Sequence, residues 1–278
     1  MSEAQQIHSS FYRFVALADP SALAERLREL VTGLGGNVIV AAEGISGAVA
    51  GPPAVLQAFE QALVTEFGGA FTGMVFKHSA CATRPFHLVK VHVKREIVAF
   101  GVPGVTASGA PDTQDDTHVS PQRWRELLDE PDVVVLDNRN SFEWRLGRFR
   151  GAVDPEVKHF RDFPAYVESQ APQWKAEGKR IAMYCTGGIR CEKTSAWMQD
   201  QGLTVYQLDG GILNFFQAMQ EHGEDAAADW QGECFVFDKR IAIDAKLQET
   251  ATTAEQVYAD EPDGAWRLAR ARRLDPGG

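Results

Sequence analysis

The stretch IAMYCTGGIRCEKTSAWM, residues 181–198, decides the fold. IAMYC (181–185) is a short unbroken apolar run of the kind found in strands buried on both faces of a parallel sheet. CEKTSAWMQDQG (191–202) reads as a helix, and only Thr186, Gly187, Gly188, Ile189 and Arg190 separate the two. A cysteine therefore stands at the carboxyl end of a buried strand, on a glycine loop that feeds a helix. In an open α/β sheet, that is where sites form.

The same alternation extends in both directions. SPQRWRELLDE (120–130) reads as a helix, DVVVLDNR (132–139) as a second continuous apolar strand, and the region around 159–170 as another helix. After the loop helix, LTVYQLDGG (203–211) gives a strand and a glycine turn, and ILNFFQAMQEHG (212–223) a further helix. Strands alternating with helices imply a parallel sheet covered on both faces, so residues 120–224 are expected to form an α/β domain.

A different order precedes it. FYRFVAL (11–17) reads as a strand, and Asp19, Pro20 and Ser21 supply turn and cap chemistry. Residues 22–34 carry Leu23, Leu27, Leu30, Val31 and Leu34 at helical spacing, closed by Gly35 and Gly36. NVIVAAE (37–43) is a strand, GISGAVAG (44–51) its hairpin partner, PAVLQAFEQALVTEFG (53–68) a second helix and FHLVKVHVKREIV (86–98) the last strand. The order β-α-β-β-α-β is the ferredoxin-like α+β arrangement, expected over residues 1–105. Gly, Pro and Asp are dense around 104–119, so 106–119 reads as a linker. Residues 225–278 form a C-terminal extension in which FVFDKRIAI (235–243) can be a strand and DGAWRLARARRL (263–274) a short basic helix.

The chain of 278 residues is long enough for two such domains, and its 44% hydrophobic and 24% charged residues are ordinary for globular proteins. MSEAQQIHSS lacks the basic and apolar regions of a signal peptide, and no run of about 18 apolar residues occurs to span a membrane. Cys81, Cys185, Cys191 and Cys234 make no dense framework of the secreted kind, which points to the cytoplasm and free thiols. Cys81 and Cys234 read as structural. GLGGN (33–37) ends a helix and fails the dinucleotide fingerprint. No paired Cys-x-x-Cys motif suggests zinc, and His222-Gly-Glu224 is a weak iron candidate, so no metal or organic cofactor is expected.

Gly187 and Gly188 let backbone N–H groups turn inward, and such a nest at a helix N-terminus stabilises an anion. The anion here is the Cys185 thiolate, the nucleophilic form of cysteine, with Arg190 adding positive charge. Cysteine phosphatases need Cys-x5-Arg to cradle a phosphoryl group. The Cys-x4-Arg spacing here makes a smaller cradle, better suited to a sulfur or oxygen-derived species. Cys191 reads first as a packed or capping thiol, with resolution of an oxidised Cys185 as the alternative. Asp137, Arg139 and Glu143 lie at or beyond another strand end facing the same crevice; they read either as a structural ion-pair network or as supporting site residues, with Arg139 then the best candidate for an anion or phosphate contact.

CTGGIRCEKTSAWM resembles a rhodanese active-site loop with its following helix, and DNRNSFEWRLGRFRGAVD (137–154) resembles the neighbouring rhodanese segment. Together with VAAEGISGAVAG (40–51), PFHLVKVHVKREIVAFG (85–101) and GECFVFDKRIAI (232–243), the chain is similar from about residue 11 to 243 to the tRNA uridine-34 hydroxylases. That resemblance implies oxygen-dependent hydroxylation of the wobble uridine to 5-hydroxyuridine. It implies molecular oxygen as co-substrate, the tRNA anticodon loop as partner and Cys185 as the essential cysteine. Addition of a Cys185 thiolate to carbon 6 of uracil makes carbon 5 nucleophilic towards oxygen; a persulfide or oxidised sulfur on Cys185 is the rival route. Many members carry further cysteines after the FVFD segment. This chain has none beyond Cys234 and has Trp266, Arg267, Arg270, Arg272 and Arg273 instead.

A net charge of −10 argues against bulk nucleic-acid binding, but the charge is uneven. Residues 67–95 contain Lys77, Arg84, Lys90, Lys94 and Arg95 and no acid, with His78, His87 and His92 as further donors. Lys90, His92 and Lys94 alternate with Val89, Val91 and Val93, which predicts a basic face over an apolar one. Phe71, Phe76 and Phe86 are candidate stacking surfaces. A plain sulfurtransferase working through a Cys185 persulfide, and a redox-sensing binding module, stay open beside the hydroxylase; the basic N-terminal domain favours the hydroxylase, because small-molecule sulfur transfer does not need it.

Overall fold

The structure is a computed structural model that describes residues 6–81, 83–107, 117–261 and 263–274. Most of the expected linker, including DTQDD (112–116), lies outside the described residues. The described residues divide into two compact units. One comprises those up to Val98 with Phe237–Ile241 and those from 263 onward; the other comprises Ala99–Val236 and Ala242–Glu261. Residues 225–278, expected as one extension, contribute to both.

The first unit opens with β1 (Gln6–Phe14), which starts and ends earlier than expected. The Asp19 carboxylate accepts the Ser21 and Ala22 amides at 3.0 Å and caps α1 (Pro20–Leu30). β2 (Gly35–Ala41) and β3 (Gly44–Gly51) form the expected hairpin, with Ala41 opposite Gly44. Gly44 has φ +145°, and a Cβ there would collide with the Arg13 carbonyl, so no other residue fits. α2 (Pro53–Glu66) follows, then β4 (Phe76–Cys81) and β5 (Val89–Val93).

The sheet order is β4-β1-β3-β2-β5, antiparallel except where β5 runs parallel to β2. The first four strands form the ferredoxin-like sheet, and its last strand is β4 rather than the segment 86–98. FKHSAC in β4 has no apolar alternation because an edge strand leaves both faces half-exposed. The basic segment shortens to β5, an added strand on the far edge. Leu23 and Leu27 of α1 and Leu56, Phe59 and Leu63 of α2 share one core with Phe11, Val38, Val40, Ile45 and Val49. Each such side chain contributes about 1.5–3 kcal/mol by burial. Elsewhere in the unit, His8 stacks on Phe86 (5.9 Å between centroids) and lies 3.6 Å from Asp238, which binds Arg240. Burial, aided by Arg240, lowers His8 to about 4.

The second unit runs β6 (His118–Val119), α3 (Pro121–Leu127), β7 (Val133–Asp137), α4 (Ser141–Leu146), β8 (Gly147–Phe149), α5 (Phe163–Ala176), β9 (Arg180–Tyr184), α6 (Ile189–Asp200), β10 (Thr204–Leu208) and α7 (Gly211–His222). It closes with β11 (Trp230–Gly232), β12 (Cys234–Phe235), β13 (Ala242–Ile243) and α8 (Ala254–Tyr258); α9 (Gly264–Leu274) belongs to the first unit. β6-β10-β9-β7 is a parallel sheet. Ile181, Ala182, Met183 and Tyr184 are all fully buried, as the unbroken apolar run predicts. Ala182 and Tyr184 join a core with Trp124, Phe149, Phe215 and Trp230, while Met183 Sδ meets the Thr194 hydroxyl of α6 at 3.6 Å.

Four boundaries differ from the sequence reading. α6 begins at Ile189, because Gly188 (φ +98°) already turns the chain into the helix. The strand 132–139 ends at Asp137. The helix expected near 159–170 opens with a single 3₁₀ turn, Phe160–Asp162, and continues as α5 to Ala176. The strand expected over 235–243 breaks into β12 and β13, since Asp238 accepts both the backbone and the Nε hydrogen of Arg240 and forms a turn.

Candidate active site

Cys185 leaves the end of β9 and is 1% exposed. Its sulfur accepts the Gly188 amide at 3.2 Å. Burial pushes the thiol up. A hydrogen bond from the Cys191 thiol, the charge of Arg190 and the Cys191 and Arg190 amides outweigh burial and bring it down to about 6. At neutral pH the sulfur is therefore mostly thiolate. Burial and the neighbouring Cys185 hold Cys191 well above its ordinary value, so it remains a protonated donor. Cys234, by contrast, is raised to about 12 by burial and is an inert core thiol.

Arg190, in the first turn of α6, is fixed by Glu143 of α4. Nη1 and Nη2 donate to its two carboxylate oxygens at 2.9 and 2.8 Å, and Nη1 also reaches the Asn138 carbonyl at 3.4 Å. Glu143 is fully buried; burial pushes its carboxyl up, but Arg190 pulls it below the ordinary range. Asn138, just beyond β7, donates from Nδ2 to the Thr194 hydroxyl at 2.7 Å and to Cys191 Sγ at 3.8 Å. It ties the neighbouring strand end to α6.

Asp137 and Arg139 lie deeper. Arg139 Nε and Nη2 donate to Asp137 at 2.9 and 2.6 Å, Nη2 also to the Gly147 carbonyl at 2.6 Å, and the Tyr184 hydroxyl donates to Asp137 at 2.6 Å. The guanidinium sits over the Tyr184 and Trp230 rings and is closed to solvent. The expectation of an anion contact at Arg139 is thereby corrected. A charge pattern in sequence does not distinguish an exposed cation from one half of a buried pair.

The loop is held from the far side by residues the sequence reading passed over. The Ile212 and Leu213 amides at the start of α7 donate to the Cys185 and Thr186 carbonyls at 3.0 and 3.1 Å. Gly211 (φ +70°) lies so close that a Cβ would collide with the Cys185 carbonyl and come within 2.8 Å of the Gly188 nitrogen. The signal was present in the Gly210–Gly211 turn, but only the packing gives it a purpose. Thr186 Oγ1 is buried with no hydrogen-bond partner, Ile189 is half-buried, and a Cβ on Gly187 would meet nothing within 4 Å. Open space therefore adjoins the loop at Gly187.

The expected basic stripe divides. Lys77 lies on β4, over the Tyr12 ring at 5.6 Å, whereas Lys90 and His92 lie on β5 at the opposite edge of the sheet. Four strand spacings separate those edges, roughly 19 Å. Arg84, Lys90, Lys94 and Arg95 are exposed, and His92 is half-buried. Val91 is buried but Val93 is 44% exposed, so the valine face is not uniformly core. Phe71 and Phe86 are buried and Phe76 packs on Phe11, so these rings serve the protein interior. In α9, Arg267 is buried and paired with Asp263, while Trp266 is exposed. The Arg270 and Arg273 side chains lie outside what the structure describes. Glu224 of the weak iron candidate is ion-paired with Arg125. Among the described residues no group of three His, Cys, Asp or Glu side chains is placed to hold a metal, and no helix is long and apolar enough to cross a membrane.

Residues 7–97 match the family described as UPF0176 acylphosphatase like domain, and residues 120–218 match the rhodanese-like domain. A protein of Synechococcus elongatus named tRNA uridine(34) hydroxylase is 44% identical over 243 residues, covering 86% of each chain. Proteins of the same name from Deinococcus radiodurans and Legionella pneumophila are 43% and 38% identical, covering 87% and 92% of this chain and 77% and 97% of their own.

Proposed function

This chain belongs to the tRNA uridine(34) hydroxylase family, and from that premise we propose that it is an enzyme that places a hydroxyl group on carbon 5 of uridine 34 of tRNA, with Cys185 as reactive group and molecular oxygen as co-substrate. The observation that carries the chemistry is the cradle around Cys185: the buried sulfur accepts the Gly188 amide at 3.2 Å beside Arg190, whose charge, with Cys191, brings the thiol down to about 6. The thiolate adds to carbon 6 of the uracil ring, carbon 5 becomes electron-rich, and oxygen bonds there. The base enters at Gly187, where the loop adjoins open space. Arg190, neutralised by Glu143, lowers the thiol without presenting a bare cation. Uridine 34 lies in an unpaired anticodon loop, so moving the base into a pocket costs less than extracting it from a duplex.

The exposed Arg84, Lys90, Lys94 and Arg95 contact the tRNA backbone, and the enzyme works in the cytoplasm. A rhodanese-like domain alone is also compatible with sulfur transfer, but curated relatives that match both units are named for hydroxylation. Nucleoside mass spectrometry of tRNA incubated with the pure protein in air tests the reading. New 5-hydroxyuridine with wild type and none with Cys185→Ala is expected; a thiolated uridine, or product from the Cys185→Ala protein, overturns it.

A further inference from the structure

Hydroxylation by oxygen requires a reductant. Placing one oxygen atom in a C–H bond and releasing the other as water takes four electrons, of which the C–H bond supplies two. Cys185 and Cys191 are both free thiols, both buried, and joined by a hydrogen bond from the Cys191 thiol to the Cys185 sulfur. Asn138 Nδ2, 3.8 Å from Cys191 Sγ, orients that second sulfur, and the Thr194 hydroxyl fixes Asn138 in turn. A protonated thiol beside a thiolate, with open space adjoining the loop at Gly187, is the arrangement of an attacking and a resolving cysteine. Only five residues separate the two cysteines, and closing the disulfide brings the sulfurs to a bond of about 2 Å. Cys234, a thiol of the hydrophobic core, is instead hydrogen-bonded to the Phe235 carbonyl at 3.7 Å.

Resting on the hydroxylase reading, we propose that Cys185 and Cys191 together are the reductant of the reaction and close to a disulfide once for each hydroxyl group made. The balance is a carbon-5 C–H bond, one O2 and two thiols giving a C–OH group, one water and one disulfide. A C–O bond forms at carbon 5 and the O–O bond breaks. The outer oxygen passes to the Cys191 sulfur as a sulfenic acid; loss of the carbon-5 proton breaks the bond between carbon 6 and Cys185 and restores the ring double bond, and the freed Cys185 thiolate displaces hydroxide from the sulfenic acid. The S–S bond forms, and the two thiol protons leave in the water. An external dithiol then reopens the disulfide by exchange, which makes multiple turnover dependent on a thiol donor of that class.

The test uses the full chain, reduced and freed of small thiols without air, then mixed with tRNA and oxygenated buffer. Nucleoside mass spectrometry counts 5-hydroxyuridine, and differential alkylation with peptide mapping counts the Cys185–Cys191 disulfide. The expected burst is about one hydroxyl per protein, matched by about one disulfide, with none formed over the same interval without tRNA. Cys191→Ser should lose the burst, falling below about a tenth of an equivalent, and recover turnover when a small external thiol is supplied. A wild-type burst without disulfide overturns the proposal, as does a full burst from Cys191→Ser. A folded Cys191→Ser protein that no thiol rescues also overturns it, because that is the result of a purely structural role. If wild type makes no 5-hydroxyuridine even with a dithiol present, the hydroxylase reading itself falls.

Discussion

Replacing Glu143 by glutamine removes a charge and almost no volume, and so isolates what that charge does. Glu143 accepts two near-parallel bonds from Arg190 at 2.9 and 2.8 Å, with side chains 0% and 8% exposed. A hydrogen bond to a charged group is worth about 1.5–3 kcal/mol, and breaking a buried pair by removing one partner costs about 3–5 kcal/mol. The variant leaves Arg190 charged and closed to water, so the upper range applies. For a protein of this size that corresponds to a melting temperature lower by roughly 6–20 °C. Thermal unfolding followed by tryptophan fluorescence reads it, because Trp124 and Trp230 lie in the same core as the sheet. The double variant Glu143→Leu with Arg190→Met removes both charges and should regain most of the lost stability while remaining inactive. A loss below about 1 kcal/mol, or a double variant no more stable than the single, refutes the idea that Glu143 exists to neutralise Arg190.

Four further outcomes follow from the same geometry. The Cys185 thiol is lowered from 9.0 to about 6, so the hydroxylation rate should rise through pH about 6 and then level. An ultraviolet thiolate titration, wild type minus Cys185→Ala, with its midpoint near 9 would contradict this. Because the folded value is the lower one, the thiolate's stabilisation of the fold is complete above pH about 9 and is lost as pH falls to about 6. Gly211→Ala places a Cβ against the Cys185 carbonyl in a left-handed conformation, so activity should fall at least about tenfold while tRNA binding is kept; equal activity would show that the loop does not depend on that contact. Lys90→Ala with Lys94→Ala should weaken tRNA binding and flatten its salt dependence by about one unit of slope per lost phosphate contact, and an unchanged slope would remove β5 from the interface.

The parts of this protein that sequence made legible are those where one physical rule dominates. Apolar runs such as IAMYC permit only a strand buried on both faces, and that is how β9 lies. CTGGIR places a cysteine, two glycines and an arginine where a strand becomes a helix, and the structure brings those groups together around one sulfur. Legibility fails where tertiary context decides. β4 is an edge strand, so neither face imposes an apolar period, and its place in the sheet went to a later, more regular segment. Asp137-x-Arg139 and Glu143 are alike as charges in a sequence. Only packing shows that Glu143 clamps the site arginine while Arg139 is enclosed by Tyr184 and Trp230. Asp238-Lys-Arg240 interrupts an apolar segment that otherwise reads as one strand, because its side chains close a turn.

The most direct test of the central claim is to supply heavy-isotope oxygen gas to the reduced enzyme with tRNA and to read the mass and position of the product nucleoside. Uridine 34 carrying one heavy oxygen on carbon 5, absent with Cys185→Ala, is the predicted result. Light oxygen at carbon 5, sulfur in place of oxygen, or equal product from Cys185→Ala would contradict it.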